Sequence, residues 1–380
     1  MPKFKFEALK FVHSLLLTNY RSYEELNIQF DGRPVVLFGE NGAGKTNLLE
    51  AISLLSPGRG LRRTKLEDIV RRDDKILPRL WSVASEIKTG NDLIKAGTGQ
   101  IQNAPRRRQI RIDGKPASGV DFAALLTVNW LTPEQDRLFV GPAADRRKFF
   151  DRLCLARCKS HGRTFLTYEK ARRERGRLLA EGIDDDYWFD ALETDLAKRG
   201  AKIAKARFET LQKLQEEISA RPQGAFPKAV IGIEGEAETL YQNGADERDV
   251  YEFIKAALQR DRPIDKRAGR TLRGVHKSDL IVSHMDKNMP AKDCSTGEQK
   301  ALLIGLFLAH ARAQSAHSPI LLLDEVAAHL DEVRRAALVD ELLELGTQVF
   351  MTGTDKNLFK AFKGWAQIFK VTGGTLEACD

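Results

Sequence analysis

The chain has 380 residues, is 42% hydrophobic and 30% charged, and carries a formal charge of +8 with a pI near 9.2. That is enough chain for one large domain or two ordinary ones, and no apolar run approaches the roughly 18–20 residues a membrane span needs. The basic excess bears on partners rather than fold, and its clustering favours a polyanion such as nucleic acid.

The opening MPKFKFEALKFVHSLLL lacks a small-residue cleavage site, so no signal peptide is expected. Leu26, Ile28 and Phe30 alternate as in a half-buried strand, and PVVLF (34–38) is a short apolar run ending at glycine, which suits a buried strand. Further strands are expected at 80–87 and 108–113, the latter ending in the Asp113-Gly114 turn pair. Residues 146–180 and 190–220 contain few Pro or Gly and predict an antiparallel helical hairpin, broken at 182–186. Cys154 and Cys158 lie four apart, on one face of such a helix, and are expected as two buried thiols. With Cys294 and Cys379 they match neither a C-x-x-C metal pair nor a disulfide framework, which points to a reducing cytoplasm. After 268, a helix from about 297 to 315, a strand at 319–323, a helix near 330–345 and a strand at 348–352 predict a parallel sheet with crossover helices. The expected organisation is therefore α/β. Residues 1–145 and 268–380 fold together, and 146–267 form a basic, mainly helical inserted lobe.

The strongest chemical signal is Gly39-Glu40-Asn41-Gly42-Ala43-Gly44-Lys45-Thr46, a full G-x-x-x-x-G-K-[ST] between the strand PVVLF and the helix-like NLLEAISLL. Its glycines let backbone amides wrap a phosphate, and the helix start adds positive potential. Lys45 is expected to reach β- and γ-phosphates and Thr46 to offer Mg²⁺ a hydroxyl; Asn47 is counted with the nucleotide-binding residues. The second signal is the apolar strand ILLL followed by Asp324-Glu325, two carboxylates at the C-terminal edge of a sheet. Asp324 is expected to hold Mg²⁺ and Glu325 to orient or deprotonate the attacking water. The third is Ser295-Thr296-Gly297-Glu298, which has the spacing of a capping box. Its helix starts too far along the module to reach that module's own phosphate. In the ATP-binding-cassette arrangement such a helix meets the nucleotide held by a second copy. Ser295 and the Gly297 amide are expected to cap the γ-phosphate in trans, giving an ATP-dependent homodimer.

Several stretches together resemble the RecF recombination-mediator family. They are Leu17-Thr18-Asn19-Tyr20-Arg21-Ser22-Tyr23, the loop GENGAGKTN, Pro57-Gly58-Arg59-Gly60-Leu61-Arg62, and Thr132-Pro133-Glu134. Arg146-Arg147-Lys148-Phe149-Phe150-Asp151, Gly274-Val275-His276-Lys277-Ser278-Asp279 and Leu330-Asp331 complete the order. Val275 stands where that family usually has proline, and Gln135 where it often has a second acid. The resemblance implies an SMC-like ABC ATPase head with a short second lobe, too short for a long coiled coil. It implies ATP-dependent dimerisation on DNA, slow DNA-stimulated hydrolysis, and RecA loading at gaps with RecR and RecO, at the nucleoid. It also places Arg21 near the adenine or ribose and Thr352 near the γ-phosphate.

Rows of Lys/Arg at 146–180 and 260–277, and the smaller clusters Arg106, Arg107, Arg108, Arg111 and Arg59, Arg62, Arg63, Lys65, are expected to track a phosphate backbone with little sequence specificity. Two alternatives stand beside this: the soluble ATPase subunit of a membrane transporter, and an ATP-gated DNA clamp in which hydrolysis is negligible.

Overall fold

The computed structural model describes residues 9–72 and 80–379. The chain forms two compact units. One comprises 1–136, 223–226 and 307–380, the other 137–222 and 227–306. These limits differ from the expected boundaries: residues 268–306, with the capping-box segment, group with the helical lobe.

In chain order, the first unit opens with β1 (Lys10–Tyr20), β2 (Tyr23–Gln29) and β3 (Val35–Phe38), then α1 (Lys45–Ser53). It continues with β4 (Ser82–Thr89), β5 (Asp92–Ile101), β6 (Ala104–Ile112), β7 (Lys115–Pro116), α2 (Gly119–Leu125) and β8 (Val128–Leu131). The second unit contributes α3 (Ala143–Arg157), α4 (His161–Ala180), α5 (Asp186–Ala220), β9 (Ala229–Glu234), α6 (Glu236–Gln242), α7 (Glu247–Arg260) and α8 (Arg262–Ala268). Then come β10 (Asp279–His284), β11 (Met289–Pro290) and α9 (Thr296–Arg312). The first unit closes with β12 (Ile320–Leu323), α10 (Glu332–Leu345), β13 (Val349–Gly353), β14 (Gln367–Thr372) and β15 (Thr375–Ala378).

Two sheets build the first unit. One is antiparallel, in the order β2-β1-β4-β5-β6-β7; the other runs β15-β14-β3-β13-β12-β8, parallel except for the β14–β15 pair. The parallel strands VVLF, ILLL and VFMTG are near-continuous apolar runs because helices and the other sheet cover both faces. Leu48, Leu49 and Ile52 of α1 belong to one buried cluster with Leu37, Leu322 and Phe350 of the parallel sheet and Leu15 and Leu17 of the antiparallel one. The phosphate-loop helix is thus clamped by both sheets. At about 1.5–3 kcal/mol per fully buried large apolar side chain, that clamp fixes where the helix starts.

The second unit departs from the expected hairpin in two ways. The run 146–180 breaks at 158–160, so the hairpin is α4 against α5, preceded by the separate α3. Cys154 is buried in α3, whereas Cys158 is the residue after its last turn and only half-buried, so the two are not a buried pair. The unit also contains a small antiparallel sheet, β11-β10-β9, of which β9 lies in the stretch expected to be mainly helical. Asp113-Gly114 forms the expected turn, with both residues at positive φ, joining β6 to β7.

Candidate active site

The loop between β3 and α1 depends on glycine at Gly44, where φ is +114° and a Cβ would lie 2.7 Å from Ser22 Oγ. The Tyr23 hydroxyl donates to Gly44 O at 3.0 Å and holds the turn from behind. The Lys45 ammonium, almost fully buried, donates to Gly39 O at 2.7 Å and Glu40 O at 2.8 Å, inside the curl of the loop. Burial lowers its pKa, and the charges of Glu325 and Asp324 oppose that shift. One cation thus faces two acids from the opposite strand end.

Those acids are tied to the loop by hydroxyls. Thr46 Oγ1 donates to Asp324 Oδ1 at 2.8 Å, and Thr352 Oγ1, at the end of β13, donates to the same oxygen at 2.7 Å. Thr352 Oγ1 also accepts from the Glu325 amide at 2.9 Å. One buried hydroxyl therefore orients both members of the Asp-Glu pair. Glu325 is half-buried and adopts the left-handed conformation, φ +54°, which is uncommon for a non-glycine residue. Thr46 and Asp324 offer adjacent hard oxygen donors, the set that suits Mg²⁺. Lys45, Thr46, Asp324 and Glu325 are thus brought together, with Thr352, which only the family resemblance had pointed to, bonded to both acids' segment.

Arg21, which the family resemblance places near the adenine or ribose, has its guanidinium held by residues on and after α1. Its guanidinium donates to both carboxylate oxygens of Glu50 at 2.9 and 2.8 Å, to Thr64 Oγ1 at 2.8 Å and to Asp68 O at 3.0 Å. It braces α1 to the β1–β2 turn. Glu50, fully buried on α1, was missed in the sequence because a single acid in an apolar helix carries no spacing signal. Arg62 lies 3.7 Å from the same carboxylate and donates to Asn47 Oδ1 at 2.8 Å, beside the loop. Gln135 Oε1 accepts from the Thr132 amide and hydroxyl at 2.7 and 3.0 Å, which caps its own turn.

Ser295 and Gly297 belong to the second unit. Ser295 forms the expected capping box: its amide and hydroxyl donate to Glu298 Oε2, both at 3.0 Å, and the Glu298 amide donates back to Ser295 Oγ at 3.4 Å. Lys287 adds an ion pair to Glu298. Lys287, then the Ser295 amide and hydroxyl, hold the Glu298 carboxyl down to about 2.

Much of the basic charge is spent internally, which corrects the expectation that it forms open rows. Arg108 is partly buried and caps the carboxyl end of α1 at Leu54 O and Ser56 O. Arg146 forks onto Asp279 at 2.8 and 2.7 Å, and Arg147 donates to Ser278 O at 2.9 Å. Arg207 pairs with Asp151 and Glu238 and donates to Val275 O. The two distant motifs around 146–151 and 274–279 therefore meet through these bonds within the second unit. Exposed cations without an ion pair among the described residues include Arg107 and Arg111 in the first unit and Arg163, Arg267, Arg270 and Lys277 in the second.

The family model described as RecF/RecN/SMC N terminal domain matches residues 11–377. A Caulobacter vibrioides protein named DNA replication and repair protein RecF is 48% identical over 364 residues, covering 93% of this chain and 94% of that one. Among solved structures, one of the recombination mediator protein RecF-ATPrS in the RecFOR pathway has a TM-score of 0.84 at 23% identity, covering 98% of both chains. An SmcHead bound to the C-winged helix domain of ScpA has a TM-score of 0.58 at 14% identity, covering 97% of both.

Proposed function

The chain belongs to the RecF family, with the fold of an SMC-like ABC ATPase head, and from that premise we propose that it is an ATP-dependent DNA-binding protein of DNA repair and replication. ATP is the ligand of the 39–47 loop. In this reading Gly39, Glu40, Asn41, Gly42, Ala43 and Gly44 supply backbone, Lys45 a cation, and Thr46 and Asp324 the oxygens that would hold Mg²⁺. That ion, when bound, offsets the negative charge of the phosphates.

The observation that carries the reading is the hydroxyl of Thr352, bonded at once to Asp324 and to the Glu325 amide. It ties the acid that would hold the ion to the acid that would take a proton from water. The Glu325 carboxylate, next to Lys45, is the general base. Ser295 and the Gly297 amide complete the site in a second copy, so the γ-phosphate gates a homodimer. DNA lies against exposed cations such as Arg107, Arg111, Arg267 and Arg270, with little sequence specificity because phosphates carry no sequence information. Hydrolysis is slow, is stimulated by DNA and releases the clamp. RecR, RecO and RecA act in the same pathway.

Among the described residues, no helix is long and apolar enough to cross a membrane. The testing experiment is binding to a gapped duplex at about 0.15 M salt, near physiological screening, with ATP, with ADP and without nucleotide. Tight binding with ATP alone is expected. Equal binding in all three overturns the gating. With ATP, affinity is expected to fall by roughly 10³–10⁵ between 50 and 200 mM salt if 6–10 phosphates are contacted.

A further inference from the structure

The end of the α4–α5 hairpin has a composition unlike the rest of this basic chain. Tyr187 is 88% exposed and Trp188 40%, neighbours in the first turn of α5. The Arg177 guanidinium lies over the Trp188 ring, 5.9 Å from its centroid. That arginine is held by carboxylates on both sides, at 2.8 Å from Glu174 Oε1 and 2.8 Å from Glu181 Oε2. The Trp188 amide donates to Asp185 Oδ1 at 2.9 Å, which caps the helix and fixes the backbone beneath the aromatic pair. The aromatic surface is therefore presented in an ordered frame, which lowers the entropy lost on docking. Tyr, Trp and Arg are also the residue types that dominate binding energy at protein interfaces.

The surrounding charge decides between partners. Asp184 and Asp186 have side chains 95% and 98% exposed, and Glu181 is about half exposed. Arg262 and Lys266 reach Asp186 and Asp184, at 2.7 and 3.5 Å, but the carboxylates face solvent. A phosphate backbone brought here would meet three consecutive acids, Asp184 to Asp186. A protein with a basic surface around an apolar socket meets complementary charge and an aromatic anchor.

We propose that the hairpin end, centred on Tyr187 and Trp188 and rimmed by Asp184, Asp186 and Glu181, is the docking surface for a basic protein partner and is not a DNA contact. The assignment rests on the pathway reading above, which supplies two probes: purified RecR and RecO from the same organism. Both substituted positions of Tyr187→Ala/Trp188→Ala are partly exposed, and a second variant, Asp184→Lys/Asp186→Lys, keeps the aromatic pair. Circular dichroism and ATP binding equal to wild type establish that each variant is folded.

The expected result is that wild type binds at least one probe, that the aromatic double variant binds it at least tenfold more weakly, and that the charge-reversed variant also binds it more weakly. Gapped-DNA affinity stays unchanged in the aromatic variant. Unchanged probe affinity in both variants overturns the docking surface while leaving the pathway reading intact. A loss of DNA affinity in the folded aromatic variant overturns it in favour of a DNA contact. Binding of neither probe by wild type overturns the pathway partners, and the docking assignment falls with them.

Discussion

Glu325 holds a left-handed backbone, φ +54°, directly after a buried strand, and its amide is pinned by Thr352 Oγ1 at 2.9 Å. Such a conformation costs of order 1–3 kcal/mol in a non-glycine residue and persists only where its surroundings over-determine it. Here the Thr352 hydroxyl holds the Glu325 amide, while Asp324 Oδ1 is committed to the Thr46 and Thr352 hydroxyls. The two adjacent acids therefore sit in different hydrogen-bond surroundings. Glu325→Gln preserves size and the amide bond to Thr352 but removes the proton acceptor. We expect it to bind ATP as wild type does, to hydrolyse it about 10²–10⁴-fold more slowly, and to remain on DNA after excess competitor is added. Dissociation as fast as wild type would show that hydrolysis is not the release step. Arg21 teaches a complementary lesson at the same scale. Its motif was legible in the sequence, but its partner Glu50 was not, because a lone acid in an apolar helix carries no spacing signal.

At the scale of elements, the second unit is held by buried charge as well as by apolar packing. Asp151 of α3 accepts from Arg207 of α5 at 2.8 and 3.0 Å and lies 3.0 Å from His161 Nε2 at the start of α4. Cys154 and Glu238 complete the surroundings. Burial pushes the Asp151 carboxyl up, but Arg207 and the His161 contact outweigh it and hold the group well below the usual carboxylate range. A depressed folded pKa contributes stability that is present above the unfolded value, about 3.9, and is lost as pH falls below it. Unfolding followed by urea titration should therefore show stability falling as pH drops from about 4 towards the lower folded value. Asp151→Asn should be less stable at pH 7 by roughly 3–5 kcal/mol, because it leaves Arg207 under-paired, and its pH slope should be shallower. An identical slope in the variant would place the acid sensitivity elsewhere. These bonds also explain where the sequence was readable. The parallel strands and their helices announced themselves by long apolar runs, and the nucleotide loop by fixed spacing. The break at 158–160 did not, because Cys-Lys-Ser contains no Gly or Pro. β9 and β10 were hidden because they are six residues each, one alternating around a glycine and the other starting inside a motif read for its chemistry. Composition likewise overstated the open basic surface, since ion pairing between distant segments leaves no trace in a count of arginines.

For the whole molecule, the question is whether a γ-phosphate can govern assembly. Charge-assisted hydrogen bonds contribute roughly 1.5–3 kcal/mol each. Two at each of two symmetric sites supply at most about 6–12 kcal/mol, against the roughly 5.5 kcal/mol that moves an equilibrium from 1:99 to 99:1. The margin is real but narrow, so losing the donors at one position should suffice to abolish assembly. Ser295 is well placed for this test because its hydroxyl already caps α9 through Glu298, and the same groups that satisfy a helix start can meet a phosphate. The cap itself contributes about 0.5–2 kcal/mol, so its loss must be separated from loss of the trans contact. Ser295→Ala removes the hydroxyl but leaves room for a second copy, whereas Ser295→Arg also fills the contact. We expect both variants to bind ATP normally, the alanine variant to dimerise more weakly, and the arginine variant to sediment as a monomer with ATP. If Ser295→Arg sediments as wild type does, the signature helix is only a well-capped helix and the γ-phosphate is read elsewhere. If both variants lose ATP binding as well, the effect arises within one copy, and the trans contact is not the cause.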